Sequence, residues 1–204
     1  MIIRWNGHSC FTLETAQGTV VLDPYAPGSV PGLPELKLKA DAVLCSHGHA
    51  DHNYAQGVAL SGRPCAVSVE TLPCFHDSVQ GAKRGPDLIH ILSAEGMRIA
   101  HLGDLGHGLD LEQLEKLRGV DVLMIPVGGY FTIDARQAHH IVEELRPRIV
   151  LPMHYRGEGF GYEVLAPVGD FLALTEGPVE RYPGSSLKVT KDTPVQTAVL
   201  TCPQ

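Results

Sequence analysis

The stretch Asp41–Tyr54, DAVLCSHGHADHNY, decides how the rest of the chain is read. It opens as a continuous apolar run, the pattern of a strand buried on both faces. It then gathers His47, His49, Asp51 and His52 into six residues. His47 and His49, two apart on an extended turn, can point at one ion, while Asp51 and His52 turn toward a second. Gly48 and Ala50 are small enough to permit so tight a wrap. Imidazole with some carboxylate is the donor set that zinc favours, and iron and manganese also accept it. An isolated His-x-His is commonplace, whereas this grouping directly after a buried strand is a metal-binding signature.

Working outward, the segments IIRW, CFTLE and TVVLD predict an N-terminal meander of three antiparallel strands ending at Asp23-Pro24. CAVSVETL predicts a strand running to Phe75-His76-Asp77, and DLIHILS and MRIAHLGD a pair around the turn 94–96. The second half alternates helix and strand. LDLEQLEKLRG, with leucines at 109, 111, 114 and 117, predicts an amphipathic helix, and DARQAHHIVEEL a second one stopped by Pro147. DVLMIPVGG and RIVLPMH are buried strands, GDFLALTEG a short helix, and SLKVT with VQTAVL a closing hairpin. The pattern implies sheets covered by helices on their outer faces.

The chemically able residues fall at the ends of these strands. DAVLC leads into the His/Asp turn, and the next strands lead to His76, Asp104 and His154. Carboxyl ends of strands lie together along one sheet edge, so these side chains can meet in one cleft. Asp77 or another histidine is an alternative to His76. His101, and His8 with Asp23, are candidates to orient ligands by hydrogen bonds from behind. His90, His139 and His140 read as core or solvated residues.

With 204 residues, 44% of them hydrophobic, the chain is expected to form one domain over residues 1–204. Sixteen basic against twenty-three acidic residues give a formal charge of −7, which argues against nucleic acid or an anionic membrane as partner and for a small molecule. Homo-oligomerisation is compatible with the composition. The N-terminus lacks a leader pattern and no apolar run is long enough to span a bilayer, so a cytoplasmic location is expected. The five cysteines are scattered and never form a C-x-x-C pair, so neither a disulfide framework nor a cysteine zinc site is expected.

The motifs GHSCFTLE, VVLDPY, SHGHADHN, FHDSVQGAKRG, HLGDLGH, DVLMIPVGGYFTIDA and PMHY together resemble the metallo-β-lactamase superfamily over roughly residues 1 to 156. Among its branches the sequence is similar to the compact metal-dependent hydrolases related to ascorbate-6-phosphate lactonase. The resemblance implies an α/β (α+β) four-layer αββα sandwich with two divalent metals in the cleft, expected to be Zn2+, with Mn2+ or Fe2+ as alternatives. It implies that His47, His49 and His76 hold the first metal, that Asp51, His52 and His154 hold the second, and that Asp104 bridges them. Two divalent ions against Asp51, Asp104 and a hydroxide leave net positive charge, suited to an anionic substrate. Hydroxide on the metals would attack an ester, lactone or phosphodiester, with Asp51 and Asp104 as the catalytic carboxylates. Arg84, Tyr130 and Arg156 are candidate substrate contacts, with Lys83 and Phe131 nearby. The competing readings are a nuclease of the superfamily and a mononuclear iron oxygenase; His49 stands where diiron relatives commonly carry a carboxylate. No role is assigned to residues 157–204.

Overall fold

The computed structural model describes residues 1–203. Alternation of side chains builds the first sheet. β1 (Ile2–Gly7), β2 (Cys10–Thr15) and β3 (Gly18–Leu22) form the expected antiparallel meander. Successive side chains point to opposite faces, so Trp5, Phe11, Leu13, Val20 and Leu22 fill the space between two sheets while Cys10 and Val21 face outward. The outward cluster is closed by Tyr25, Val30 and a small parallel pair, β4 (Leu38–Ala40) with β6 (Val58–Leu60), rather than by an α-helix.

β5 (Ala42–Leu44), the decisive DAVLC run, pairs in parallel with β3 at the sheet edge. It is not buried on both faces as its apolarity suggested. Ala42 and Leu44 pack toward one core and Val43 toward the other, but the open edge leaves all three half-exposed.

The second sheet has the order β12-β14-β11-β10-β9-β8-β7, built from β7 (Ser68–Phe75), β8 (Pro86–Ala94), β9 (Met97–His101), β10 (Val122–Pro126), β11 (Ile149–Met153), β12 (Val179–Arg181) and β14 (Gln196–Val199). Its central strands β10 and β11 are parallel and buried along their whole length, as continuous apolar runs require. Parallel neighbours bring their carboxyl ends to the same edge, which is where the histidines and aspartates lie.

The helices are α1 (Leu111–Leu117), α2 (Ala135–Leu145) and α3 (Val168–Leu172). The first two begin with a capping box, in which Asp110 and Asp134 accept from the backbone N–H of Gln113 and Gln137 and each glutamine returns the bond. α2 buries Ala138, Ile141 and Leu145 on one face and stops at Arg146, whose φ is 47°. In α1 Leu117 is buried and Leu114, with Leu109 just before the helix, packs half-buried against the core, as the amphipathic pattern leads one to expect, but Leu111 is 87% exposed and Gln113 is buried in the same face. Gln113 spends its side chain on the Asp110 N–H and the Pro73 carbonyl, which fixes the helix rotation.

The expected C-terminal hairpin does not form. β13 (Ser186–Lys188) pairs with β1 and β14 with β11, so the two segments complete different sheets. One contiguous core runs from Met1 to Leu200 between the sheets. Among the described residues no helix is long and apolar enough to cross a membrane.

Candidate metal centre

The site collects the ends of β5, β7, β9 and β11 together with the β1–β2 turn. Asp104 is its hub. Its Oδ2 lies 3.1 Å from His76 Nε2, 3.2 Å from His52 Nε2, 3.3 Å from His154 Nε2 and 3.9 Å from His47 Nε2. Asp51 Oδ2 lies 3.9 Å from His52 Nε2 and 3.4 Å from His8 Nε2. The donors fall into overlapping sets whose members lie within 4.8 Å of one another: His47, His49 and His76; His8, Asp51, His52 and His154; and His47, His52 and Asp104, which joins the two. All seven residues expected as ligands are therefore in one cluster. Asp77, the alternative to His76, is turned away from it.

These residues fit a cation. The Nε2 atoms of His47, His52 and His154, both ring nitrogens of His8, Nδ1 of His76 and Oδ1 of Asp104 are buried with no hydrogen-bond partner. A buried polar atom left unpaired costs about 1–3 kcal/mol, so such a concentration points to a common charge that the donors face. Ligands held about 2.1 Å from one metal lie about 3.4 Å apart at tetrahedral angles, close to the separations around Asp104.

The electrostatics agree. Burial pushes the Asp104 carboxyl up, but His154 and His52 outweigh it and hold the group well below the usual carboxylate range. His52 is pushed down by burial yet raised well above its ordinary value by Asp104 and Asp23. His8 is lowered to about 4, by burial first and then by His154. His49 is lowered by burial and by His47 and His76. An ionised carboxylate ringed by imidazoles is a place where a metal replaces protons.

Two ligand candidates are steadied from behind. Asp23, fully buried, pairs its Oδ2 with His52 Nδ1 at 2.8 Å and accepts from the Ser46 N–H at 2.7 Å and the Ser46 hydroxyl at 2.6 Å. Asp87, which no sequence signal singled out, lies 3.1 Å from His47 Nδ1. Each hydrogen bond fixes one ring nitrogen and leaves Nε2 aimed at the centre. Gly103, at φ +53°, makes this possible: a Cβ there would sit 2.6 Å from Asp87 Oδ2 and 2.8 Å from the Ser46 Cβ.

The other two residues expected behind the ligands are placed differently. His101 touches none of them; its Nε2 meets the Ser9 carbonyl at 2.8 Å and its Nδ1 accepts the Gly103 N–H at 3.2 Å, so it braces the turn that carries Asp104. His8 stands among the donors rather than behind them. His8, Asp23 and His154 all have positive φ, at 51°, 44° and 53°, a conformation that non-glycine residues adopt rarely and mostly where function holds it.

Around the rim, Asp77 accepts from the N–H groups of Val79, Gly81, Lys83 and Arg84, at 2.8–2.9 Å, and so organises the loop that follows His76. Asp77→Ala is expected to speed amide exchange at those four residues while leaving β8–β10 protected, read by hydrogen–deuterium exchange; unchanged loop exchange would remove this role. Arg84 donates to the Tyr130 carbonyl at 3.0 Å and lies 5.6 Å over the Phe131 ring. Tyr130 is 65% exposed. Arg156 donates to the Leu165 carbonyl at 2.7 Å and so shapes the C-terminal loop. That loop delivers a residue the sequence gave no hint of: the Tyr162 hydroxyl is 2.6 Å from the Ser29 carbonyl and 3.3 Å from Asp51 Oδ2.

Two facing sheets with a histidine–aspartate centre at one edge define a metal-dependent hydrolase of the metallo-β-lactamase fold, and similarity to known proteins agrees. Residues 2–154 match the beta-lactamase superfamily domain. The chain is 31% identical over 189 residues to a UPF0173 metal-dependent hydrolase of Pyrobaculum islandicum, covering 76% of this chain and 84% of that one. It is 29% identical over 194 residues to another from Archaeoglobus fulgidus, covering 76% and 83%. A crystal structure of a candidate zinc-dependent hydrolase of the metallo-beta-lactamase superfamily from Thermotoga maritima superimposes with a TM-score of 0.77 at 33% identity, covering 98% of this chain and 97% of that one. The chain belongs to the metallo-β-lactamase superfamily.

Proposed function

We propose that this hydrolase works with two divalent metals, zinc by preference, and cleaves an ester, lactone or phosphodiester of a small anionic molecule. The observation that carries the reading is the pair of donor sets joined through Asp104, one enclosed and one reaching the surface at His49. His47, His49 and His76 would hold one ion, Asp51, His52 and His154 the other, and Asp104 both. Bound there, the metals would bring the pKa of water toward about 7 and polarise the substrate oxygen.

The protein's own groups do the rest. Asp51, half-buried beside His8 and Tyr162, is placed to accept a proton from the attacking water and pass it on. Phe131, packed 5.7 Å from Tyr162 and 6.4 Å from His154 between ring centroids, offers an apolar wall. Arg84 above it, and the exposed Lys83 that precedes Arg84 in sequence, suit a phosphate or carboxylate on the substrate. Arg156, committed to Leu165, is given a structural part instead. The formal charge of −7 favours a small molecule over nucleic acid.

Tyr162→Phe is expected to lower kcat by up to about fivefold with metal content unchanged, since the single phenolic proton, shared between the Ser29 carbonyl and Asp51, is removed and with it about 1 kcal/mol at most of hydrogen bonding to Asp51. An unaltered kcat would release Tyr162 from the reaction. The reading itself is tested by incubating the purified protein with simple anionic lactones and phosphodiesters in 18O-labelled water. Label in one product, lost on chelation and restored by zinc, supports it; inertness toward both classes together with oxygen consumption by an iron-loaded protein would overturn it.

A further inference from the structure

We propose that His8 is itself a metal ligand, joining Asp51, His52 and His154 beside the shared Asp104. The enclosed metal position then becomes the tight one, and the position at His47, His49 and His76 the one that exchanges. The inference rests on the site holding metal and adds a residue that the H-x-H-x-D-H motif does not contain.

The His8 side chain is fully enclosed, yet neither ring nitrogen finds a hydrogen-bond partner. Its Nε2 is 3.4 Å from Asp51 Oδ2, a separation typical of two donors sharing one metal and long for a charge-assisted hydrogen bond. Its ring centroid is 4.1 Å from that of His154 and 5.3 Å from that of His52. Two imidazoles so close, without a hydrogen bond between them, are explained by a cation that both face.

The backbone is built to aim this ring. The His8 carbonyl accepts from Trp5 Nε1 at 2.8 Å and from the His154 N–H at 3.3 Å, which ties the β1–β2 turn to the end of β11. The residue is held at φ 51° in doing so. A histidine that only filled space would need neither the strained backbone nor the unpaired nitrogens.

The consequence is an asymmetric centre. With Asp104 shared between the two ions, five protein donors would hold the enclosed position against four at the outer one, and the extra donor favours tighter retention there. His8, His52 and His154 are buried, while His49 on the other side is exposed.

Cadmium-113 bound to the histidine-labelled (15N) wild-type chain gives the direct test. Scalar coupling from cadmium to His8, alongside His52 and His154, is expected. Coupling to His52 and His154 but not His8 would overturn the proposal while leaving the metal centre intact, and absence of bound cadmium would overturn both. Dialysis against graded chelator gives an independent reading by elemental analysis. Wild type should lose its metals in two steps. His8→Asn, chosen because asparagine tolerates positive φ, should lose the retained metal at chelator concentrations about 10–100-fold lower. Wild-type retention in a folded His8→Asn protein would again exclude coordination.

Discussion

Asp104→Ala is expected to cut hydrolysis by on the order of 10^3-fold or more and to abolish retention of two metals, while the chain still folds. Metal polarisation contributes several kcal/mol of transition-state stabilisation, and in the proposed dinuclear centre Asp104 is the side chain that would serve both ions. Its Oδ2 lies within 3.3 Å of three imidazole nitrogens from three separate strand ends. Without the carboxylate those imidazoles face each other across a gap and favour no shared cation. The fold should persist because the inter-sheet core is apolar and continuous without this residue. Steady-state kinetics, elemental analysis and a cooperative melting curve check the three parts. Unaltered metal content and turnover would remove Asp104 from its bridging place.

The second large effect is expected at Asp23, which touches no substrate. Asp23→Ala should destabilise the protein by about 3–5 kcal/mol, because a buried ionised partner is removed from His52 and from both donors of Ser46. Alanine is also poorly suited to φ 44°. Asp23→Asn keeps the shape and the tolerance for that φ, and should weaken metal retention about 10–100-fold by loosening the His52 ring. The acid limb adds a signed prediction. Burial pushes the Asp23 carboxyl up, but His101, His52 and Ser46 bring it down to about 2 from an ordinary 3.8. A lowered folded-state value means stability that is fully present above pH about 4 and is lost as pH falls through about 2, worth about 2 kcal/mol. In the metal-free protein the asparagine variant should lack this loss between pH 4 and 2, measured by denaturant titration. Parallel acid limbs in the two proteins would contradict the assignment.

Which parts of this centre were legible in the sequence follows from how local their causes are. His47, His49, Asp51 and His52 share one turn, His76 and His154 follow directly on a strand and Asp104 lies three residues past one, each strand with a plain apolar pattern, so the cluster could be assembled from strand ends alone. Asp87 could not. It is the second residue of β8, and its direction depends on the pairing of Cys74 with Asp87 across β7 and β8, a register that no local pattern fixes. Tyr162 lies in a stretch without motif or periodicity, and only the loop folded back against Ser29 brings it to Asp51. The role of His8 was hidden for a related reason: next to Asp23 in the expected chemistry, it depends on how the β1–β2 turn meets the end of β11.

The fold shows the same division. The meander and the buried strands β10 and β11 follow from period-two alternation and continuous apolar runs. The final two strands have the composition and spacing of a hairpin, yet the free edges of β1 and β11 each offer a ladder, and the chain completes both sheets instead of pairing with itself. Edge availability is a property of the assembled sheets. Likewise the apolarity of Ala42–Leu44 reports contact on two faces but not the open side of an edge strand.

The most direct measurement of the proposed dinuclear centre is metal content by elemental mass spectrometry, on protein purified with neither added metal nor chelator. About two zinc per chain is the expected result, with one released before the other under mild chelation. About one iron per chain with no hydrolytic activity, or no transition metal retained at all, would contradict it.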